Sequence, residues 1–438
     1  MLRILFFAVI MLLNLKLYSF DLTPLGNVRY RFEFWDGMNQ KNFGYSGENA
    51  IGKLNDKIIF QRIIAGFRFA SSTKFAFVVS LQDSRAFGSS LTSNDFKIGT
   101  KDNYYIMNPN EEFFDFNNLY VEVDSIFGYT NLTLGRQKIA YGDFRAFGPG
   151  EWGNTGRWCW DALKLQFKKG TDMLSFWIGG TKIHNPKVTS FPFFNTEYYG
   201  FGSYSSLQVL QDLKFEPFFA GKFQGSARYI KDQKISLYWA GLRILDSNVA
   251  TFLIDLTGAY EFGKKNTNTV SAYAYFAKLG RWFSASLIKA FLSLRYTFAS
   301  GGLNSDGSNA KFEPIYGAND KYYGWMNVVS WSNLRNPEMV LELYIGKNFW
   351  SEIKYNWFFV NDVNEKILGL SVGQSKHLGN EFDIFANYKF SKRIAFTSVF
   401  GFFQPIDCYT KDLSKPKNAY YFALQVLFQL FNNNFGAI

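Results

Sequence analysis

The 438-residue chain has little cysteine, histidine or proline: two, two and ten residues. Cys159, Cys408, His184 and His377 cannot form a metal site of the usual Cys/His spacing. Neither histidine has an adjacent Ser or Asp partner, so a His-based catalytic site has few ways to form. An enzyme is not expected, and no cofactor is implied. There is no phosphate loop and no dinucleotide fingerprint. Asn304 to Asn309 is rich in oxygen but lacks the spaced carboxylates of a calcium loop. Beyond residue 19 no run reaches the roughly 18 to 20 apolar residues that a membrane-crossing helix needs. No Pro-rich, Ser-rich or charge-block linker divides the chain, which argues for one domain over 20–438.

Aromatic residues, at 20%, and a period of two are what the chain has instead. Phe382, Ile384, Ala386, Tyr388 and Phe390 share one face, and Glu381, Asp383, Asn387 and Lys389 the other. Phe385 is the exception on the polar face. Tyr420, Phe422, Leu424, Val426, Phe428 and Leu430 repeat the pattern. Such alternation specifies strands. Residues 1–19 read as a signal peptide: Arg3 precedes the apolar Ile4 to Leu15, with cleavage expected near Ser19. Strand after strand with an apolar face behind a leader indicates an all-β, antiparallel transmembrane barrel in the bacterial outer membrane. In hydrocarbon every backbone polar group needs an internal partner, which closure supplies. Cys159 and Cys408 both fall near outer strand ends, so their pairing stays open.

About eighteen strands are expected, an even number as single-chain bacterial barrels require. They centre on 27–35, 57–69, 74–85, 115–124, 130–139, 159–168, 172–182, 203–212, 214–224, 234–244, 250–262, 268–279, 286–298, 337–347, 349–360, 380–390, 392–403 and 419–431. Segment 324–333 reads as either strand or loop. The long gaps follow odd strands, which places them outside if the first strand runs outward from the periplasm; the periplasmic turns are short. Parity puts Val28, Tyr30, Phe32 and Phe34 toward lipid, and Arg29, Arg31 and Glu33 into the lumen. Arg62, Arg68, Lys289 and Arg295 also point inward, since a basic residue on the lipid face costs roughly 2–4 kcal/mol at the midplane. Glu122, Asp124, Asp255, Glu261, Glu342, Glu352, Glu381 and Asp383 share the lumen, answered by Lys164, Lys354 and Lys389. Most of these charges are expected to form cross-strand ladders. The net charge of +11 then suits anionic head groups, or a pore that favours anions. Basic residues are dispersed over strands, which argues against nucleic-acid binding.

One set of segments does not read as generic barrel. Arg31-Phe32-Glu33-Phe34-Trp35 opens the first strand, and Gln82-Asp83-Ser84-Arg85 ends the third. Gly135-Arg136-Gln137-Lys138-Ile139-Ala140-Tyr141-Gly142-Asp143-Phe144-Arg145 follows, then Trp152-Gly153-Asn154 with Arg157 and Asp161, the acid one residue later than the family spacing. Tyr323-Gly324-Trp325-Met326-Asn327, followed by Asn333-Leu334, is a further match. Together these resemble the alginate export family of outer-membrane porins, over almost all of the mature chain. The resemblance implies an eighteen-stranded, monomeric barrel with an arginine-rich constriction passing an anionic polysaccharide. On the matched segments that constriction would hold Arg62, Arg68, Arg85, Arg136, Arg145, Arg157 and Asp161. Guanidinium forks onto carboxylates and sheds water more readily than ammonium, which suits transient binding of uronate, sulfate or phosphate.

Parity opposes part of this. Arg85 shares a face with Phe77 and Leu81, Arg136 with Leu132 and Leu134, and Asp161 with Leu163 and Leu165. A bulge near Gly135 or Gly142 could reverse that facing; otherwise these residues brace the external loops. The expected function is a channel for anionic or polar solutes, with outer-membrane lipid around it and periplasmic export components as candidate partners. The alternative is a structural or adhesive barrel acting through its loops. The scaffold does not identify the solute or the direction of transport.

Overall fold

The computed structural model describes residues 20–44, 51–71, 74–126, 128–224, 234–249, 251–317, 319, 321–411 and 413–431. The expected signal peptide, 1–19, lies outside the described residues. The fold is one eighteen-stranded antiparallel sheet closed into a barrel. Its strands are β1 (Phe20–Asp36), β2 (Asp56–Ser71), β3 (Phe75–Phe87), β4 (Glu112–Ile126), β5 (Thr130–Lys138), β6 (Cys159–Lys169), β7 (Asp172–Lys182), β8 (Thr196–Gln208) and β9 (Leu213–Gln224). They continue with β10 (Ile235–Val249), β11 (Phe252–Lys265), β12 (Asn268–Ala285), β13 (Ile288–Ala299), β14 (Leu334–Ile345), β15 (Phe349–Phe359), β16 (His377–Lys389), β17 (Ile394–Pro405) and β18 (Ala419–Gln429). Each pairs with its sequence neighbour, and β1 closes on β18 from Asn27↔Gln429 to Asp36↔Tyr420. Closure removes both sheet edges.

Alternation sets the two faces of the wall. On β18, Tyr420, Phe422, Leu424 and Phe428 are exposed outward, while Ala419, Tyr421 and Ala423 are buried inside. The turns at one end are short, and the long loops gather at the other. Asn266-Thr267, between β11 and β12, is a tight turn at the long-loop end. Inside the wall, Arg243 joins Glu216 and Asp255 at 2.7 and 2.8 Å, and Arg295 reaches Glu342 at 2.8 Å. These are the cross-strand ladders expected of a wide lumen.

Three details differ from the sequence reading or complete it. The strand expected at 203–212 runs Thr196–Gln208 instead. Val209 and Leu210 imitate a strand end but lie exposed in the turn. The true start is masked by Gly200 and Gly202; a Cβ at Gly202 would stand 2.2 Å from the Trp177 ring. Segment 324–333 belongs to a loop, not a strand. Both cysteines are buried free thiols.

Candidate functional site

Two long loops, 139–158 and 300–333, fold into the barrel. They meet where Phe147 and Tyr316 form a parallel bridge, with Gly148 N–H on the Tyr316 carbonyl and Tyr316 N–H on that of Ala146. So close an approach excludes a side chain at Gly317, whose Cβ would stand 1.7 Å from the Arg145 carbonyl oxygen. Phe147 packs edge-on against Trp177 and Phe218, at 5.0 and 5.6 Å between ring centres. Tyr141 stacks on Tyr204 at 4.8 Å, and Tyr316 lies against Trp160 at 4.6 Å. Fully burying such a ring contributes roughly 1.5–3 kcal/mol. The inner wall at β6–β9 thus carries a dry aromatic core in place of water.

Charged wall residues hold the same loops by their backbones. Arg29 donates to the carbonyls of Glu151 (3.0 Å) and Gly153 (3.1 Å) and to Asn154 Oδ1 (3.0 Å). Arg31 donates to the Trp152 carbonyl, and Arg62 to that of Glu151. The Glu151 carboxylate pairs with Lys138 and with Arg62. Burial alone would raise that carboxyl, but Lys138 and Arg62 outweigh it and hold it at about 2. Loop 300–333 is held by acids instead. Met326 N–H donates to Glu381 at 2.9 Å and Trp325 N–H to Asp383 at 3.4 Å. Trp325 stacks on Phe385 at 5.0 Å and 13°. The residue that broke the alternation on β16 is therefore an inward-facing contact for this loop. Arg31 lies 4.3 Å over Trp152, and Trp152 meets Trp325 at 5.0 Å. Arg31, Trp152, Trp325 and Phe385 form a continuous row joining β1 to β16.

On the long-loop side of this row is a cavity of about 840 Å³. Seven cationic side chains line it, Arg31, Lys41, Arg157, Lys222, Lys265, Lys311 and Lys366, against three acids, Glu33, Glu313 and Glu365. Arg31 pairs with Glu33, Lys265 with Glu313 and Lys311 with Glu365. Arg157 pairs with Glu197 at 2.9 Å and stacks 4.4 Å over Trp158. Among the described residues Lys41, Lys222 and Lys366 form no salt bridge. Lys222 sits among Trp158, Tyr198, Trp239 and Tyr316, with ring centres 5.1–5.6 Å from its Nζ. Its ammonium is held by ring faces and the Pro314 carbonyl at 3.4 Å, and among the described residues no carboxylate comes within salt-bridge distance of it.

The residues expected in the constriction are dispersed. Arg157 lines the cavity, while Arg62 lies against Glu151. Arg145 joins the two loops: it pairs with Asp143 at 3.3 Å and lies 3.8 Å over Phe276, with Tyr322 and Tyr323 beside it. Arg68 is closer to the short-turn end, 3.9 Å from Glu122. Arg85 forks onto Asp83 at 2.7 and 3.2 Å. Arg136 forks onto Asp161 at 2.7 and 2.9 Å and is fully buried. None of these five residues, nor Asp161, lines the cavity. Sequence reasoning did not single out Lys41, Lys222 or Lys366. Lys222 shares the inward parity of Phe218 and Ala220, a usable signal; the other two lie in loops without a period.

The model of a protein family described as alginate export matches residues 22–420. Among curated proteins none matches significantly. The fold is similar to that of Acinetobacter baumannii OccAB1, with a TM-score of 0.59 at 10% identity over 94% of this chain and 97% of that one. Pseudomonas aeruginosa OpdQ gives 0.58 at 10% identity over 94% and 98%. OpdK of Pseudomonas aeruginosa, solved with vanillate, gives 0.55 at 9% identity over 93% and 98%.

Proposed function

The chain belongs to the alginate export family of bacterial outer-membrane β-barrel porins, and from that membership we propose that it is a monomeric channel passing anionic or polar solutes by way of its basic external vestibule. One observation carries the reading: the cavity at the long-loop end holds Lys41, Lys222 and Lys366 without a salt bridge among the described residues, beside Arg157. A cleft lined with one sign of charge between low-dielectric walls concentrates counter-ions. The Trp152 and Trp325 row is the floor that a solute must pass, and Arg62 under Glu151 is the next cation beyond it. Aromatic faces beside the cations offer a sliding surface for sugar rings or flat carboxylates. Neighbouring acids such as Glu313 weaken each contact, and conduction needs binding that is favourable without being tight. Arg136 with Asp161, and Arg145 with Asp143, serve in this reading to hold loops.

Planar-bilayer recording of the purified protein tests the reading. Anion permeability should exceed cation permeability, and oligouronate or vanillate should block current from the external side. Failure to conduct would favour the structural or adhesive barrel. Conduction with cation preference would remove the vestibule from the selectivity mechanism.

A further inference from the structure

Loop 183–195 begins beside the cavity, where His184 meets Glu112 at 3.0 Å, but residues 187–194 take the opposite course from the two inserted loops and lie against the outward face of the wall. Leu134 and Leu163 are paired in register and exposed on that face, and Arg136 and Asp161 are the next pair along it. Arg136 is fully buried there because the loop covers it. Its Nη1 donates to the Ser190 carbonyl at 2.7 Å, and Phe193 N–H donates to Asp161 at 2.9 Å. Ser190 in turn donates from N–H and hydroxyl to Asp115, at 3.0 and 3.1 Å. Phe193 adopts a left-handed φ of 73°, a conformation costly for a bulky residue, to make its bond. The loop is pinned by charge-assisted hydrogen bonds at a level where a bare guanidinium would be costly.

The pinned loop presents aromatic rings outward. Phe191, Phe193 and Phe194 are exposed, as is Phe114, whose carbonyl accepts the Thr189 hydroxyl at 3.4 Å. Phe191 lies 5.2 Å from Phe116, which pairs with exposed Leu81 of the apolar belt. Two cations border the patch. Lys187 is exposed on the loop, and the Arg85 guanidinium lies 5.0 and 6.0 Å from the Phe113 and Phe114 rings. Asp83 takes Nε and Nη2 of Arg85; Nη1 has no partner among the described residues.

We propose that residues 187–194 and Phe114 form a docking surface for outer-leaflet lipid: the rings lie among acyl chains, and Arg85 and Lys187 meet the anionic phosphates above them. Continuity with the belt of Leu81, Leu134 and Leu163 favours lipid over a second copy of the chain, because that belt already faces acyl chains. The placement of cations on the rim favours it again, since aromatic rings below and basic groups above match the order of the membrane interface.

A nitroxide at Phe193→Cys, and separately at Phe194→Cys, tests the proposal; the native thiols are buried. In proteoliposomes containing bisphosphorylated lipid A, oxygen should broaden or saturate the label far more than a water-soluble nickel chelate, as for a control label at Leu134. Equal access to the chelate would show an aqueous loop and overturn the proposal. Low access to both would show a protein cover, such as a second copy, and would also overturn it. Replacing both cations (Arg85→Gln with Lys187→Gln) should reduce co-purifying lipid A in native mass spectra by roughly tenfold. Unchanged retention would refute the role of the two cations.

Discussion

Arg136 shows how a buried ion pair is read. Its guanidinium is met on Nε and Nη2 by one carboxylate and on Nη1 by a carbonyl, so its donors are engaged. Arg136→Met leaves Asp161 without its cation, while Asp115 keeps Lys182 at 2.9 Å, and is expected to lower stability by about 3–5 kcal/mol. Unfolding in detergent should show this, with unitary conductance of the folded fraction unchanged. Arg136→Lys should also destabilise, because an ammonium cannot reproduce the fork. Lys222 is the contrasting case, a cation held by ring faces beside the open vestibule. Lys222→Gln should move the reversal potential in a salt gradient toward that of cations while leaving the fold intact, and Lys222→Glu should move it further. The parity of Arg136 was legible in the sequence; its covering loop was not, because Ser190 and Phe193 contribute backbone groups that any residue type carries. Phe385 was legible only as an exception. Its stack on Trp325 depends on a loop more than fifty residues earlier in the chain.

At the scale of elements, strands were readable and inserted loops were not. Alternation placed all eighteen strands, and the shift at β8 arises where small residues accommodate Trp177. Loops 139–158 and 300–333 have no period. Their course is set by carbonyls meeting Arg29, Arg31 and Arg62, and by N–H groups meeting Glu381 and Asp383. Trp325→Ala should remove an aromatic contact of about 0.5–1.5 kcal/mol with Trp152. Larger unitary conductance and more open-channel noise are expected, and a smaller conductance would count against the Trp row as the floor. The Glu151 anchor makes a pH prediction. Its folded carboxyl is held at about 2, below the ordinary 4.5, so its contribution is complete above about pH 4.5. It is lost as the pH falls toward 2. Loop-dependent noise should stay level from pH 7 to 5 and rise in that acid window, whereas Glu151→Gln should show it already at pH 7.

For the whole molecule, closure of β1 on β18 lets an aromatic chain of this composition keep its apolar residues on both sides of one wall. The outward belt meets lipid. Inside, part of the lumen is a packed core, and most of the lumen charges gather into ladders. The family and architecture were readable from short motifs and period. The vestibule was not, since it is assembled from many separate loop and strand segments, among them those contributing Lys41, Arg157, Lys222, Lys265, Glu313 and Lys366. Its charge belongs to three-dimensional placement, while the chain-wide excess of +11 is spread over every surface.

The most direct measurement is the zero-current potential of single channels under a tenfold potassium chloride gradient, for the natural protein and for one carrying Lys41→Gln, Lys222→Gln and Lys366→Gln together. The natural channel should favour chloride, and the triple variant should lose most of that preference at similar conductance. A natural channel that favours potassium, or a triple variant with unaltered selectivity, would contradict a basic vestibule as the source of selection.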